Sequence, residues 1–138
     1  MPCVSSFLAS AAAQRQEYVL PVICQTVIVT RQAGRTPVPE RVQLRALAAH
    51  QATMCIFLSI TMLDTVVREL IDGGYSEDTP IAIVQKATWP DQRIVRGTLA
   101  DICAKLKARL LYPSYAADDL TRVHFCYHSP LKLIIPKN

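Results

Sequence analysis

The sequence predicts an α/β fold, a mixed sheet with flanking helices, and three observations predict it. Runs rich in β-branched residues ("QTVIVT", "TMCIFLS", "TPIAIVQKA", "RIVRGT") alternate with segments of helical spacing. The strand, helix and strand between Thr53 and Ala87 have short links, the pattern of a right-handed βαβ unit in a locally parallel sheet. The short link from Thr88 to Gln92 cannot make a parallel crossover, so "RIVRGT" must return as an antiparallel hairpin.

Ser5 to Gln16 reads as a helix, with Ser5 or Ser6 as N-cap and good helix formers through Ala13. The opening "MPCVSSFLASAAAQ" has the alanine-rich look of a signal peptide but lacks a basic n-region and a compact apolar h-region, so the cytoplasm is expected. Gln25 to Thr30 is a strand, and "RQAGRTPVPE" is a loop broken by Gly34, Pro37 and Pro39. Arg41 to His50 returns to helical spacing, with Val42, Leu44, Leu47 and Ala48 on one face. "TMCIFLS" is continuously apolar, as a buried parallel strand should be. Leu63 to Ile71 is amphipathic: Leu63, Val66, Val67, Leu70 and Ile71 face inward, away from Arg68 and Glu69. Thr61 is its expected cap, and Gly73-Gly74 stop it. Thr98 caps a last helix, Leu99 to Lys107, carrying Leu99, Ile102, Cys103 and Leu106. From Leu110 the pattern changes to Tyr-Pro, Ser-Pro and Ile-Pro breaks without a clear period, so residues 1–109 form the expected domain and 110–138 an atypical tail.

Composition narrows the function classes. An apolar share of 51% against 19% charged excludes a disordered chain, and 138 residues suffice to bury a core. No apolar run reaches bilayer length, so no membrane partner is expected. The net charge of +4 is scattered over Arg31, Arg35, Lys105, Lys107 and Arg109, without the aromatic-interleaved basic stripe of a nucleic-acid reader; a small anion suits it at least as well. The five cysteines are odd in number and form no Cys-x-x-Cys, which points to reduced, mostly buried thiols.

Few constellations carry chemistry. His124, Cys126 and His128 alternate and on a strand would face one side, which is too little to assign a metal. Asp118-Asp119 reads as a solvated loop or a cap. There is no Ser-His-Asp set or Gly-x-Gly-x-x-Gly, and four glycines are too few for a phosphate-cradling loop. The remaining candidates are the carboxyl ends of the parallel strands, Leu58-Ser59 and Lys86-Ala87, where open α/β sheets bind ligands. Ala87 is small enough for a flat ligand to approach its backbone, with ordinary strand-end packing as the alternative. Beside it Trp89, the chain's only tryptophan, and Pro90 occupy a turn where Asn-Gly would serve a plain hairpin.

The segments "TMCIFLS" and "DTVVRELIDGGYSEDTPIAIVQKATWPDQRIVRGTLADI", with "QTVIVTR" and "GRTPVPE", resemble the tetrapyrrole methylase family, in its precorrin-4 carbon-11 methyltransferase branch of cobalamin synthesis. The likeness runs from Pro2 to about Lys107. It implies the C-terminal domain of a two-domain, S-adenosylmethionine-dependent methyltransferase acting on a tetrapyrrole (precorrin), with the cofactor between the domains and a homodimeric assembly. By motif, Ser5 and Ser6 match the small pair near the cofactor, Leu58 the apolar strand-end residue against it, and Ala87 the small residue beside the adenosyl group. Thr88 and Trp89 match the mouth of the substrate cleft, with packing as the role expected of Trp89. No catalytic side chain is implied, because the sulfonium already activates the methyl and the protein supplies orientation and water exclusion.

Three departures accompany the resemblance. The family's N-terminal domain, with its Gly-rich loops, is expected to be absent from this chain. Cys3 stands where relatives usually carry Gly. The tail after Lys107 does not resemble the family's closing strand, and a sheet without that strand has an open edge. The chain is therefore expected either as the half of a methyltransferase that needs its missing N-terminal domain and is inactive alone, or as a non-catalytic binding or dimerisation module.

Overall fold

The computed structural model describes residues 5–19, 24–32, 37–58, 60–110 and 123–127. In chain order the elements are α1 (Ser6–Gln14), β1 (Val27–Arg31), α2 (Leu44–Ala48), β2 (Thr53–Leu58), α3 (Leu63–Asp72), β3 (Pro80–Gln85), β4 (Arg93–Thr98), α4 (Ile102–Leu110) and β5 (Val123–Tyr127). The strands form one mixed sheet in the order β1-β2-β5-β3-β4. β1 and β2 are parallel, β3 and β4 form the expected antiparallel hairpin, and β5 runs antiparallel to both β2 and β3.

Two expectations are corrected here. β2 and β3 run in the same direction, as a βαβ unit requires, but they are not neighbours, because β5 lies between them. A strand–helix–strand pattern fixes direction, not adjacency; the adjacent parallel pair is β1–β2, whose connection carries α2. The segment after Leu110, read as lacking a clear period, nonetheless supplies the central strand. In one row across the sheet, Cys55, Cys126 and Ala82 are backbone partners, so the sheet ends at β1 and β4 rather than at a gap left by a lost strand.

Alternation along each strand sends residues to two faces. Met54 and Ile56 of β2, Ile81 and Ile83 of β3 and Val95 of β4 join one buried cluster with Leu44 of α2, Val66 and Leu70 of α3, and Ile102 and Leu106 of α4. Cys55, between Met54 and Ile56, packs instead with Tyr18, Phe7, Ala11 and Val27. Thus α1 covers one face and α2, α3 and α4 the other. Two polar contacts fix the α1 layer: Thr53 Oγ1 donates to the Tyr18 carbonyl at 2.9 Å, and the Arg96 guanidinium to the Gln14 carbonyl at 3.5 Å.

Several helix ends differ from the sequence reading. Ser5 takes the N-cap position of α1 without a side-chain cap bond, and the helix ends on Arg15 in the left-handed region at φ 54. The expected helix over Arg41–His50 splits into a 3₁₀ turn, Glu40–Val42, and the short α2, because Gln43 is extended at ψ 149. Val42 is therefore exposed instead of facing the core. Met62, not Thr61, is the N-cap of α3, after a 3₁₀ turn over Ile60–Met62. Ahead of α4 the Asp101 carboxylate accepts the Thr98 N–H at 2.7 Å, the reach-back bond of a capping box.

The two glycines after α3 act differently. Gly74, at φ +119, makes the stop, and Tyr75 N–H then bonds back to the Leu70 carbonyl at 3.1 Å, as in a Schellman ending. Gly73 has ordinary helical dihedrals and is needed for closeness: a Cβ there would lie 2.4 Å from Ala48 Cβ and 2.7 Å from the Arg45 carbonyl oxygen. Buried Tyr75 donates its hydroxyl to the Ala52 carbonyl at 2.6 Å, tying the end of α3 to the residue before β2.

Cys24, Cys55 and Cys103 are free thiols, as expected, though only Cys55 is fully buried. Burial, and then the neighbouring Asp64 carboxylate, push the Cys103 thiol up to about 11. Burial also pushes Cys24 up, but its hydrogen bonds with Thr26 and Thr53 outweigh this and hold it below the ordinary thiol value. Two outcomes follow. Alkylation at about pH 8, read by peptide mass mapping, should label Cys24 well before Cys103, because the thiolate is the nucleophile. Gly73→Ala should destabilise the fold by about 1–3 kcal/mol in urea unfolding, the usual cost of overpacking.

Candidate functional site

Because β1, β2 and β3 share one direction, their carboxyl ends share one end of the sheet. There Leu58, Val123 and Gln85 lie in one row of backbone partners. Leu58 and Gln85 are thus two strand spacings apart, about 10 Å. Ala87 lies two residues beyond Gln85, so Leu58 and Ala87 flank the head of β5.

The turn carrying Ala87 is unusual. Lys86 at φ 50 and Thr88 at φ 72 both occupy the left-handed region although neither is glycine. Contacts across the turn hold them there. Lys86 Nζ pairs with Asp91 Oδ2 at 2.7 Å. Trp89 N–H donates to the Lys86 carbonyl at 3.0 Å, and Gln92 N–H to the Trp89 carbonyl at 3.0 Å. Thr88 N–H donates to the side-chain oxygen of Gln92 at 2.8 Å. Half-buried Ala87 has a backbone N–H and C=O that make no hydrogen bond among the described residues. Trp89 is 64% exposed, so the packing role expected of it is corrected: the clamped turn presents the ring to solvent.

The structure therefore gathers Leu58, Ala87, Thr88 and Trp89 at one end of the sheet. Ser5 and Ser6 stand at the head of α1, Ser5 exposed and Ser6 half-buried, in the layer opposite α2, α3 and α4. Cys3, Ser59, Asp118, Asp119 and His128 lie outside the described residues. His124 and Cys126 are in β5, opposite Val84 and Ala82 of β3. Among the described residues no group of three His, Cys, Asp or Glu could hold a metal ion, and no helix is long and apolar enough to cross a membrane.

Sequence reasoning missed two features. One is the Gln92 and Asp91 lock on the turn; its sequence signal is the pairing of Lys86 with Asp91 across a proline. The other is Gln32, just past β1. It is buried, its Nε2 donates to Glu69 at 3.4 Å, and its Oε1 has no partner among the described residues. A glutamine opening a loop reads as surface, and nothing local marks it otherwise.

The Lys86 ammonium bonded to Asp91 holds that carboxyl below its ordinary value of 3.8. A lowered folded value means the clamp is complete above 3.8 and is lost as pH falls through that lowered value. Trp89 emission should therefore stay constant on acidification to pH 3.8 and shift only below it, whereas Asp91→Asn should show the shifted emission at neutral pH.

The family model of the tetrapyrrole (corrin/porphyrin) methylases matches residues 1–103. The chain is 56% identical over 107 residues to the cobalt-precorrin-4 C(11)-methyltransferase of Methanocaldococcus jannaschii, covering 78% of this chain and 41% of that protein. It is 46% identical over 107 residues to the precorrin-4 C(11)-methyltransferase of Mycobacterium tuberculosis, covering 77% and 43%. It therefore spans about two fifths of the length of these curated relatives. The X-ray structure of a cobalamin biosynthetic enzyme, cobalt precorrin-4 methyltransferase, matches with a TM-score of 0.79 at 41% identity over 91% of this chain and 49% of that one. The uroporphyrin-III C-methyltransferase of Thermus thermophilus, complexed with S-adenosylhomocysteine, shares the fold at 17% identity and a TM-score of 0.64 over 92% of this chain and 50% of that one. On the matching family model and these identities, the chain belongs to the tetrapyrrole methylase family.

Proposed function

We propose that the chain takes part in the S-adenosylmethionine-dependent methylation of precorrin-4 at carbon 11, in cobalamin biosynthesis. On this reading residues 1–109 correspond to the C-terminal domain of the family's two-domain enzymes, working in the cytoplasm as part of a homodimer. The observation that carries it is the Ala87 turn. It combines a half-buried methyl-sized residue, a backbone donor and acceptor unpaired among the described residues, and an exposed indole two residues on.

That donor set fits the methyl donor. A flat heteroaromatic edge needs close backbone approach and one hydrogen-bond donor with one acceptor, and a larger side chain at position 87 would obstruct both. Ala87 would hold the adenosyl part, Leu58 would flank it from the end of β2, and Ser5 and Ser6 would lie near it from α1. Thr88 and Trp89 would face the tetrapyrrole. When bound, the sulfonium supplies an activated methyl group. The chain's own residues bind, orient and exclude water.

Calorimetric titration with S-adenosylhomocysteine should give micromolar affinity, about −8 kcal/mol. Ala87→Trp should abolish the heat while leaving the unfolding transition in place. Because the chain spans about two fifths of its relatives' length, the 138-residue polypeptide supplied with precorrin-4 and S-adenosylmethionine should transfer no methyl at an ordinary rate. An absence of heat would overturn the cofactor assignment and favour the binding or dimerisation module.

A further inference from the structure

We infer that Gln92 is a positioning residue for the adenosyl ligand; this rests on the reading of Ala87 as the ligand's backbone contact. Ala87 sits between two side-chain-bearing residues in the left-handed region, and Thr88, β-branched at φ 72, is the less suited to it. Strained dihedrals of this kind persist only where the surroundings over-determine them, and they cluster at ligand clamps. Lys86 is held from two sides, by Asp91 on its ammonium and by Trp89 N–H on its carbonyl. Thr88 is restrained by the bond from its N–H to the Gln92 side-chain oxygen at 2.8 Å.

Gln92 can act as a lock because it is itself fixed. Its own N–H donates to the Trp89 carbonyl at 3.0 Å, and it is half-buried at the foot of β4. Its carboxamide oxygen therefore reaches across the turn from a set position. By engaging the Thr88 N–H it fixes the peptide that follows Ala87, and with it the direction of the Ala87 carbonyl. Ala87's own N–H and C=O meanwhile remain unpaired among the described residues. A side chain that touches no ligand thus sets the geometry in which a backbone donor and acceptor meet one.

The test titrates S-adenosylhomocysteine into the full 138-residue chain and three variants by calorimetry, with thermal unfolding followed in parallel. Gln92→Ala should weaken binding about tenfold or more, the scale of a lost hydrogen bond together with lost pre-organisation. Gln92→Glu, whose carboxylate accepts the same N–H at the same reach, should stay within about threefold of the unaltered chain. Gln92→Asn keeps the amide but is one methylene too short, and should fall with alanine; it serves as the loss variant if Gln92→Ala no longer unfolds cooperatively. A purely structural role would move the unfolding midpoint and leave affinity unchanged. Binding by the alanine and asparagine variants within twofold of the unaltered chain overturns the inference, as does a glutamate variant as weak as alanine. No heat from the unaltered chain overturns the functional reading, and this inference with it.

Discussion

The arrangement depends on β5. β1 with β2 and β3 with β4 form two ribbons, and the ladder between them runs through Val123–Tyr127. Two-stranded ribbons are marginal in water; three or more strands with a covered face are not. β5 makes a single sheet of them and sets their relative register, because Leu58 and Gln85 both align with Val123. The separation of the two strand ends that flank the candidate site is therefore set by a strand far along the sequence from either.

The helical layer adds a second constraint, closeness at the end of α3. Gly73 lets α3 approach α2 to a distance no Cβ would permit, and Tyr75 then anchors to the Ala52 carbonyl. Ala52 immediately precedes β2, so the position of α3 and the start of β2 are coupled. Burial of Leu70 and Val66 against Ile56 and Ile83 supplies the apolar driving force, and the glycine and the tyrosine set where it is realised.

What was legible in the sequence follows from which interactions are local. β2, β3 and the β3–β4 hairpin were readable because their apolar runs and their short link are written in consecutive residues. The inward face of α3 was readable for the same reason. β5 was not, because a central strand takes its place from two distant partners and its propensity depends on that context. The break at Gln43 was missed because a single extended residue interrupts a pattern whose apolar spacing continues through it. Strand-end logic singled out Leu58 and Ala87, and the structure places both at the same end of the sheet. The Gln92 bond to Thr88 has no propensity signature, and Trp89 was expected to pack because large aromatics usually bury themselves.

Magnitudes explain why the Ala87 turn needs all of its restraints. A residue held in a sparsely populated backbone region costs about 1–3 kcal/mol, and two such residues lie in the turn. The three hydrogen bonds that oppose this contribute about 0.5–1.5 kcal/mol each. The Lys86–Asp91 pair is at the surface and adds only modestly. The opposing sums are of the same order, so each restraint matters to the shape of the turn. A relaxed hairpin would be the more stable choice if the segment served only to connect β3 and β4. Strain kept in a loop whose half-buried Ala87 backbone donor and acceptor are unpaired among the described residues supports the ligand contact proposed there.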